Sequence, residues 1–136
     1  MTNSRNKGAA FEREIAKLIN EEFSLSIPLK RILEQTREKF LPDLILGRWY
    51  LECKRYGQGN EPVEKWWSQV LDSTKDKGLP ALIYKFNNRP IKVRVPLHTI
   101  NTNLEKNNNH TCDLYWSDFI FILKALYSED IESHQK

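Results

Sequence analysis

The chain has little of what marks a secreted, membrane-bound or metal-stapled protein. Among 136 residues there are two cysteines, Cys53 and Cys112. They lie far apart and form neither a CxxC nor a metal-ligand spacing, so they read as reduced thiols rather than as a disulfide framework. No apolar run approaches the roughly 20 residues that a membrane helix needs. The first seven residues lack the apolar core of a signal peptide. The expectation is a soluble, cytoplasmic protein with no membrane partner. The glycine-punctuated loop Arg55-Tyr56-Gly57-Gln58-Gly59-Asn60 fits neither GxGxxG nor GKS/T, which excludes the familiar phosphate-cradling loops there. Internal repeats and domain-separating linkers are also missing.

What is present describes a folded protein. Hydrophobic residues at 40% and charged residues at 29% are ordinary for a globular chain. The length suits one domain, residues 1–136, with a real core. A net charge of +3 is compatible with a nucleic-acid partner without establishing one.

Phe11, Ile15, Leu18 and Ile19 recur at helical spacing and predict an amphipathic helix over Ser4 to Phe23. Glu12 and Glu14 flank its apolar stripe on opposite sides, and periodicity does not choose between them. Ser24 to Lys39 reads as an irregular or short extended segment carrying Lys30, Arg31, Arg37 and Lys39, either a phosphate-facing set or a solvated face. A second helix is expected from Glu61-Pro62, with Val63, Trp66, Trp67, Val70 and Leu71 as its buried stripe and Lys77-Gly78 as its end. Gln69 flanks that stripe. Leu79 to Phe86 and Ile91 to Val95 predict strands joined by a polar turn, with Lys92 and Arg94 forming the basic face of the second. Leu97 to Leu104 suggests a short helix, Cys112 to Tyr115 a strand, and Ser117-Asp118 an N-cap for a helix over Phe119 to Tyr127. That helix is apolar on more than one side, which fits either a homodimer surface or a deeper core. Residues 128–136 read as a tail that frays. The fold class is therefore α/β (α+β mixed), a sandwich of helices around a small mixed central sheet.

The stretch from Leu41 to Lys54 concentrates the chemistry. Gly47-Arg48 links two β-prone runs as a hairpin turn, and if Leu46 pairs with Trp49 then Asp43 lies opposite Glu52. Opposed side chains have Cβ atoms roughly 5 Å apart, and like charges so placed are destabilising unless a cation compensates them. Period-2 alternation puts Lys54 on the face of Glu52 and sends Leu51 and Cys53 into the core.

Pro42-Asp43 followed by Glu52-Cys53-Lys54 has the form P-D-(x)8-E-x-K. It resembles the PD-(D/E)xK nuclease superfamily. Lys7-Gly8-Ala9-Ala10-Phe11-Glu12-Arg13-Glu14 is similar to the opening of archaeal-type Holliday junction resolvases and their phage relatives, and Arg31-Ile32-Leu33-Glu34-Gln35-Thr36-Arg37 resembles phage members. The resemblance covers about the first half of the chain and implies a restriction-endonuclease-like domain. It implies that Asp43 and Glu52, with the Cys53 backbone carbonyl, ligate Mg²⁺ (or Mn²⁺). It further implies that Glu12 supports the metal site, that Lys54 orients and helps deprotonate the attacking water, and that Gln69 is an accessory polar residue. The long, charged segment from Ser24 to Phe40 departs from the compact resolvase pattern, which bears on junction specificity more than on hydrolysis.

The leading expectation is a metal-dependent endodeoxyribonuclease, a homodimeric Holliday junction resolvase acting on four-way or other branched DNA in recombination, in the host cytoplasm if phage-encoded. The alternatives are a nuclease of other specificity, for flap, end or duplex DNA, and a catalytically silent DNA-binding module of the same fold. Candidate DNA contacts by sign and placement are Arg5, Lys7, Arg13, Arg37, Arg55, Lys92 and Arg94.

Overall fold

The structure, a computed structural model, describes residues 4–32 and 42–133, with side chains from residue 8 onward. Helix α1 (Ser4–Phe23) is followed by the hairpin strands β1 (Leu44–Leu46) and β2 (Trp49–Tyr56), helix α2 (Glu64–Thr74), and strands β3 (Leu79–Phe86) and β4 (Lys92–Pro96). A single 3₁₀ turn at Leu97–Thr99 leads to β5 (Thr111–Tyr115), α3 (Trp116–Leu126) and α4 (Ser128–Ser133). The five strands form one mixed sheet in the order β1-β2-β3-β4-β5. Among the described residues, only β2 and β3 run parallel. They are the pair joined by a helix, because a parallel partner needs a crossover and α2 supplies it.

Strand alternation divides the chemistry between two faces. Leu51, Cys53, Ala81, Ile83, Val93 and Val95 point to one side, where Phe11, Ile15 and Ile19 of α1 and Phe119 and Leu123 of α3 close the main core. Leu82, Tyr84 and Phe86 point to the other, under Trp66, Trp67 and Val70 of α2. Both tryptophans are thus core residues. The sheet is sandwiched by helices, as the α/β pattern implied.

The hairpin has the expected register, Leu46 with Trp49, Ile45 with Tyr50 and Leu44 with Leu51. Gly47 sits at φ +59°, in the left-handed region that glycine occupies without strain, and a Cβ there would meet Asp130 Oδ2 at 2.5 Å. The space is taken by α4. Residues 128–133, expected to fray, instead form this helix and dock on the hairpin turn. Ile131 is 1% exposed, and Asp130 accepts the Arg48 backbone N–H at 2.9 Å and pairs with the Arg48 guanidinium at 3.3 Å.

Other element boundaries also move for local reasons. Helix α2 begins after Pro62, with Val63 as N-cap, and ends at Lys75 in a positive-φ conformation (φ 50°) rather than at Lys77-Gly78. The expected helix over Leu97 to Leu104 stops after one turn, since Thr99 Oγ1 donates to the Pro96 carbonyl and Asn101 Oδ1 accepts the Asn103 N–H. Such local side-chain bonds compete with helix continuation. Helix α3 starts at Trp116, with Tyr115 as N-cap, so Ser117 and Asp118 fall inside its first turn. Asp118 there favours the positive end of the helix dipole.

Candidate active site

Asp43 lies just before β1, and Glu52 and Lys54 project from β2 on the face away from the main core. At Asp43 the regular ladder ends: its N–H donates to the Leu51 carbonyl at 3.0 Å, and its side-chain Oδ2 accepts the Cys53 N–H at 2.8 Å. That bond aims the carboxylate across the strand, where it shares a hydrogen bond with the Glu52 carboxylate. The opposition inferred from the register is therefore a direct contact between two half-buried acids.

The electrostatics follow from that contact. Burial pushes Asp43 up to about 6, against the Cys53 N–H and the Lys54 ammonium, which both favour the ionised form. Burial first, and the Asp43 charge second, push Glu52 up to about 8. Both shifts run toward protonation, so the pair resists carrying two charges at once. The Cys53 thiol, wholly buried on the core side, is raised by burial and by the neighbouring acids, so it stays a thiol. Two buried carboxylates side by side disfavour each other's ionisation, and the Lys54 ammonium offsets part of that cost.

Glu12 reaches this neighbourhood from α1, and its charge acts on Asp43, Glu52 and Cys53. Its Oε1 accepts a bond from Arg31 Nε at 3.1 Å. Arg31 is held there by pinned backbone on both sides. Asn20 brackets Leu29, accepting its N–H at 2.7 Å and donating to its carbonyl at 3.2 Å, and the Ile32 N–H donates to the Asp43 carbonyl at 2.9 Å. Of the two helix acids left open by periodicity, Glu12 is half-buried beside the pair and Glu14 is exposed.

A divalent cation fits the donor chemistry. Hard cations such as Mg²⁺ take oxygen ligands and retain several waters, so two carboxylates and a backbone carbonyl are an adequate protein share. Among the described residues no group of three or more His, Cys, Asp and Glu side chains converges at metal-ligand spacing. The residues that could hold such a cation are Asp43 and Glu52, while Glu12 is engaged by Arg31.

A family model described as "Phage putative PDDEXK endonuclease" matches residues 3–131. The chain belongs to this family. The match runs well past the half of the chain that carried the resemblance, through β5, α3 and into α4. No curated protein and no solved structure matches. This member of the family has the mixed sheet and flanking helices of a restriction-endonuclease-like domain, and the family suggests nuclease activity on DNA with the divalent metals that such nucleases generally use. No helix among the described residues is long and apolar enough to cross a membrane.

The other candidate residues separate into engaged and open groups. Gln69 is exposed on α2 and takes no part in the hydrogen bonds that join Asp43, Glu52 and Cys53. Arg94 is locked to Asp113 by two bonds of 2.7 and 3.0 Å, and Tyr84 Oη donates to the same carboxylate. Arg55 ties down its own loop, donating to the Tyr56 carbonyl at 2.6 Å and to Asn87 Oδ1 at 2.8 Å. Arg13 is exposed on α1, and Lys92 lies 5.3 Å from the Tyr115 ring centre. Arg37 and the side chains of Arg5 and Lys7 lie outside the described residues. Sequence reasoning missed the Glu12–Arg31 pair and the Tyr84–Asp113–Arg94 network. Their partners stand 19 to 29 residues apart, and only the folded topology brings them together.

Proposed function

We propose that the whole chain acts as one nuclease domain, a divalent-metal-dependent endodeoxyribonuclease that hydrolyses phosphodiesters in branched DNA, Holliday junctions foremost, in the host cytoplasm. The observation that carries the reading is the Asp43–Glu52 contact with Lys54 on the same face. Two acids forced together, a neighbouring ammonium and a third acid at the margin match the electrostatic needs of phosphodiester hydrolysis.

When bound, Mg²⁺ or Mn²⁺ would neutralise charge building on the phosphate and make a water easier to deprotonate. Asp43 and Glu52, with the Cys53 carbonyl, would hold it. The Cys53 N–H holds one Asp43 oxygen, and the hydrogen bond between Asp43 and Glu52 would give way to a cation shared by the two acids. Lys54, whose charge favours ionisation of both acids, is placed to hold the scissile phosphate or stabilise the attacking hydroxide. Glu12, restrained by Arg31, adds negative potential without ligating directly. Products with a 5′-phosphate and a 3′-hydroxyl are expected.

Junction resolution calls for two symmetric cuts, and a two-fold dimer brings two sites. In support, α3 leaves Phe121 69% and Leu126 51% exposed beside its buried Phe119 and Leu123 face. Purified protein incubated with labelled four-way junction, flap and linear duplex tests the reading. Paired symmetric incisions confined to the junction are expected, along with a dimer by light scattering. Equal cutting of all three substrates would remove the junction preference and leave the nuclease.

A further inference from the structure

The face that carries Glu52 and Lys54 continues across the sheet. The pairing registers align Lys54 with Tyr84, Tyr84 with Lys92, and Lys92 with Tyr115, giving one transverse row from β2 to β5. At roughly 4.8 Å per strand step the row extends about 14 Å from Lys54. Tyr84 itself is buried under α2, so the row marks a separation rather than an open track, one that a single DNA strand at roughly 3.4 Å or more per nucleotide spans in a few nucleotides. At the far end of the row is a cavity of about 230 Å³ lined by Tyr115, Lys92, Tyr84, Arg89, Asn60 and Glu61, among others. Its volume is below the roughly 300–1,000 Å³ of sites for drug-sized ligands, which suits one ring system rather than a dinucleotide.

The lining is suited to a nucleotide. Tyr115 is 55% exposed, unusual for a large aromatic residue on a strand, and Lys92 lies against its ring at 5.3 Å. Among the described residues neither Lys92 nor Arg89 is in an ion pair, whereas neighbouring Arg94 is neutralised by Asp113. Of the lining, Tyr84 is held through its hydroxyl by the Asp113–Arg94 pair, and the cations are Lys92 and Arg89. Asn60 and Glu61 also line the cavity and offer a donor and acceptors to a base edge. An exposed aromatic beside unpaired cations is the arrangement by which proteins hold single strands, the ring stacking on a base and the cations tracking the backbone.

We propose that this cavity is a subsite for one unpaired nucleotide of the DNA substrate, with the base stacked on Tyr115 and its phosphate against Lys92 and Arg89. A fully paired base cannot enter it. The subsite therefore selects DNA with unpaired nucleotides near the cut, such as branch points, flaps and bulges. This inference rests on the nuclease reading for its purpose, but its test does not need cleavage.

The test is fluorescence anisotropy in EDTA with a labelled single-stranded oligonucleotide, a flapped duplex and a blunt duplex. Tyr115→Ala is expected to weaken binding of the first two roughly 5- to 150-fold, the loss of one base stack. Tyr115→Phe, which retains the ring, is expected to bind like wild type, and affinity for the blunt duplex should be unchanged in both variants. Thermal melting checks that Tyr115→Ala remains folded, and Lys92→Gln with the ring intact should independently weaken single-strand binding. Equal affinity of Tyr115→Ala and wild type for the single strand, or an equal loss for blunt duplex, would overturn the subsite. Failure of wild type to cut any DNA when metal is added would instead count against the nuclease reading, and the two failures are read in separate assays.

Discussion

Replacing Glu52 by Gln should make the metal-free protein more stable at alkaline pH while removing its activity. Folding raises the Glu52 carboxyl from 4.5 to about 8, by burial and by the charge of Asp43. Between those values the folded state binds more protons than the unfolded state, so stability falls as pH rises. It is undiminished below about 4.5, declines through the interval, and levels off above about 8. Each unit corresponds to about 1.4 kcal/mol. From pH 5.5 to 8 the wild type should therefore lose on the order of 3 kcal/mol from this group. For a chain of this length that lowers the melting temperature by roughly 10 °C. Melting curves in EDTA across that range provide the assay. Wild type is expected to slope downward, Glu52→Gln to stay flatter and to melt higher above pH 7, and saturating Mg²⁺ or Mn²⁺ to restore wild type while leaving the variant unmoved. Parallel pH profiles for the two proteins would refute the claim that Glu52 is held against its preferred ionisation.

Three further outcomes follow from particular contacts. Lys54→Ala should lower the single-turnover cleavage rate by roughly 10²–10³ while changing DNA affinity only a few-fold, because it removes charge stabilisation at the reacting phosphate; a larger loss in binding than in rate would make it a docking residue. Gly47→Ala should destabilise the fold by about 1–3 kcal/mol in chemical denaturation, since the added Cβ meets Asp130 Oδ2 at 2.5 Å and the residue sits at φ +59°. Ile131→Ala should cost about 2–4 kcal/mol in the same assay, because the side chain is 1% exposed under the hairpin; an unchanged midpoint would mean that α4 is not docked.

Much of the fold was legible because it is written in local periodicity. The α1 limits, the strand Leu79–Phe86 and the hairpin register all agree with the sequence reading, each resting on patterns of apolar residues or on one glycine turn. The opposition of Asp43 and Glu52 came from the same register. What was illegible depends on distant partners. The α4 helix has few apolar residues, and Ile131 alone would not announce that it seals the turn at Gly47. Ser117-Asp118 carries the composition of a cap, yet Tyr115 ends β5 in an extended conformation that already begins the helix. Within the site, the Arg31 bond to Glu12 is set by the Asn20 bracket around Leu29, a contact between helix and loop with no sequence signature. Lys92 and Arg94 look equivalent in the strand pattern. Only their neighbours, an aromatic ring for one and Asp113 for the other, give them different roles.

The central claim, that Asp43 and Glu52 together hold the catalytic cation, is tested most directly by titrating Mn²⁺ or Mg²⁺ into the protein and following binding by calorimetry and cleavage of labelled branched DNA in the same samples. Wild type should bind the cation and cut, with both properties absent in EDTA, while Asp43→Asn and Glu52→Gln should remain folded, lose cation binding and leave the DNA intact. Cleavage by either variant at the wild-type rate, or cation binding that neither substitution weakens, would contradict it.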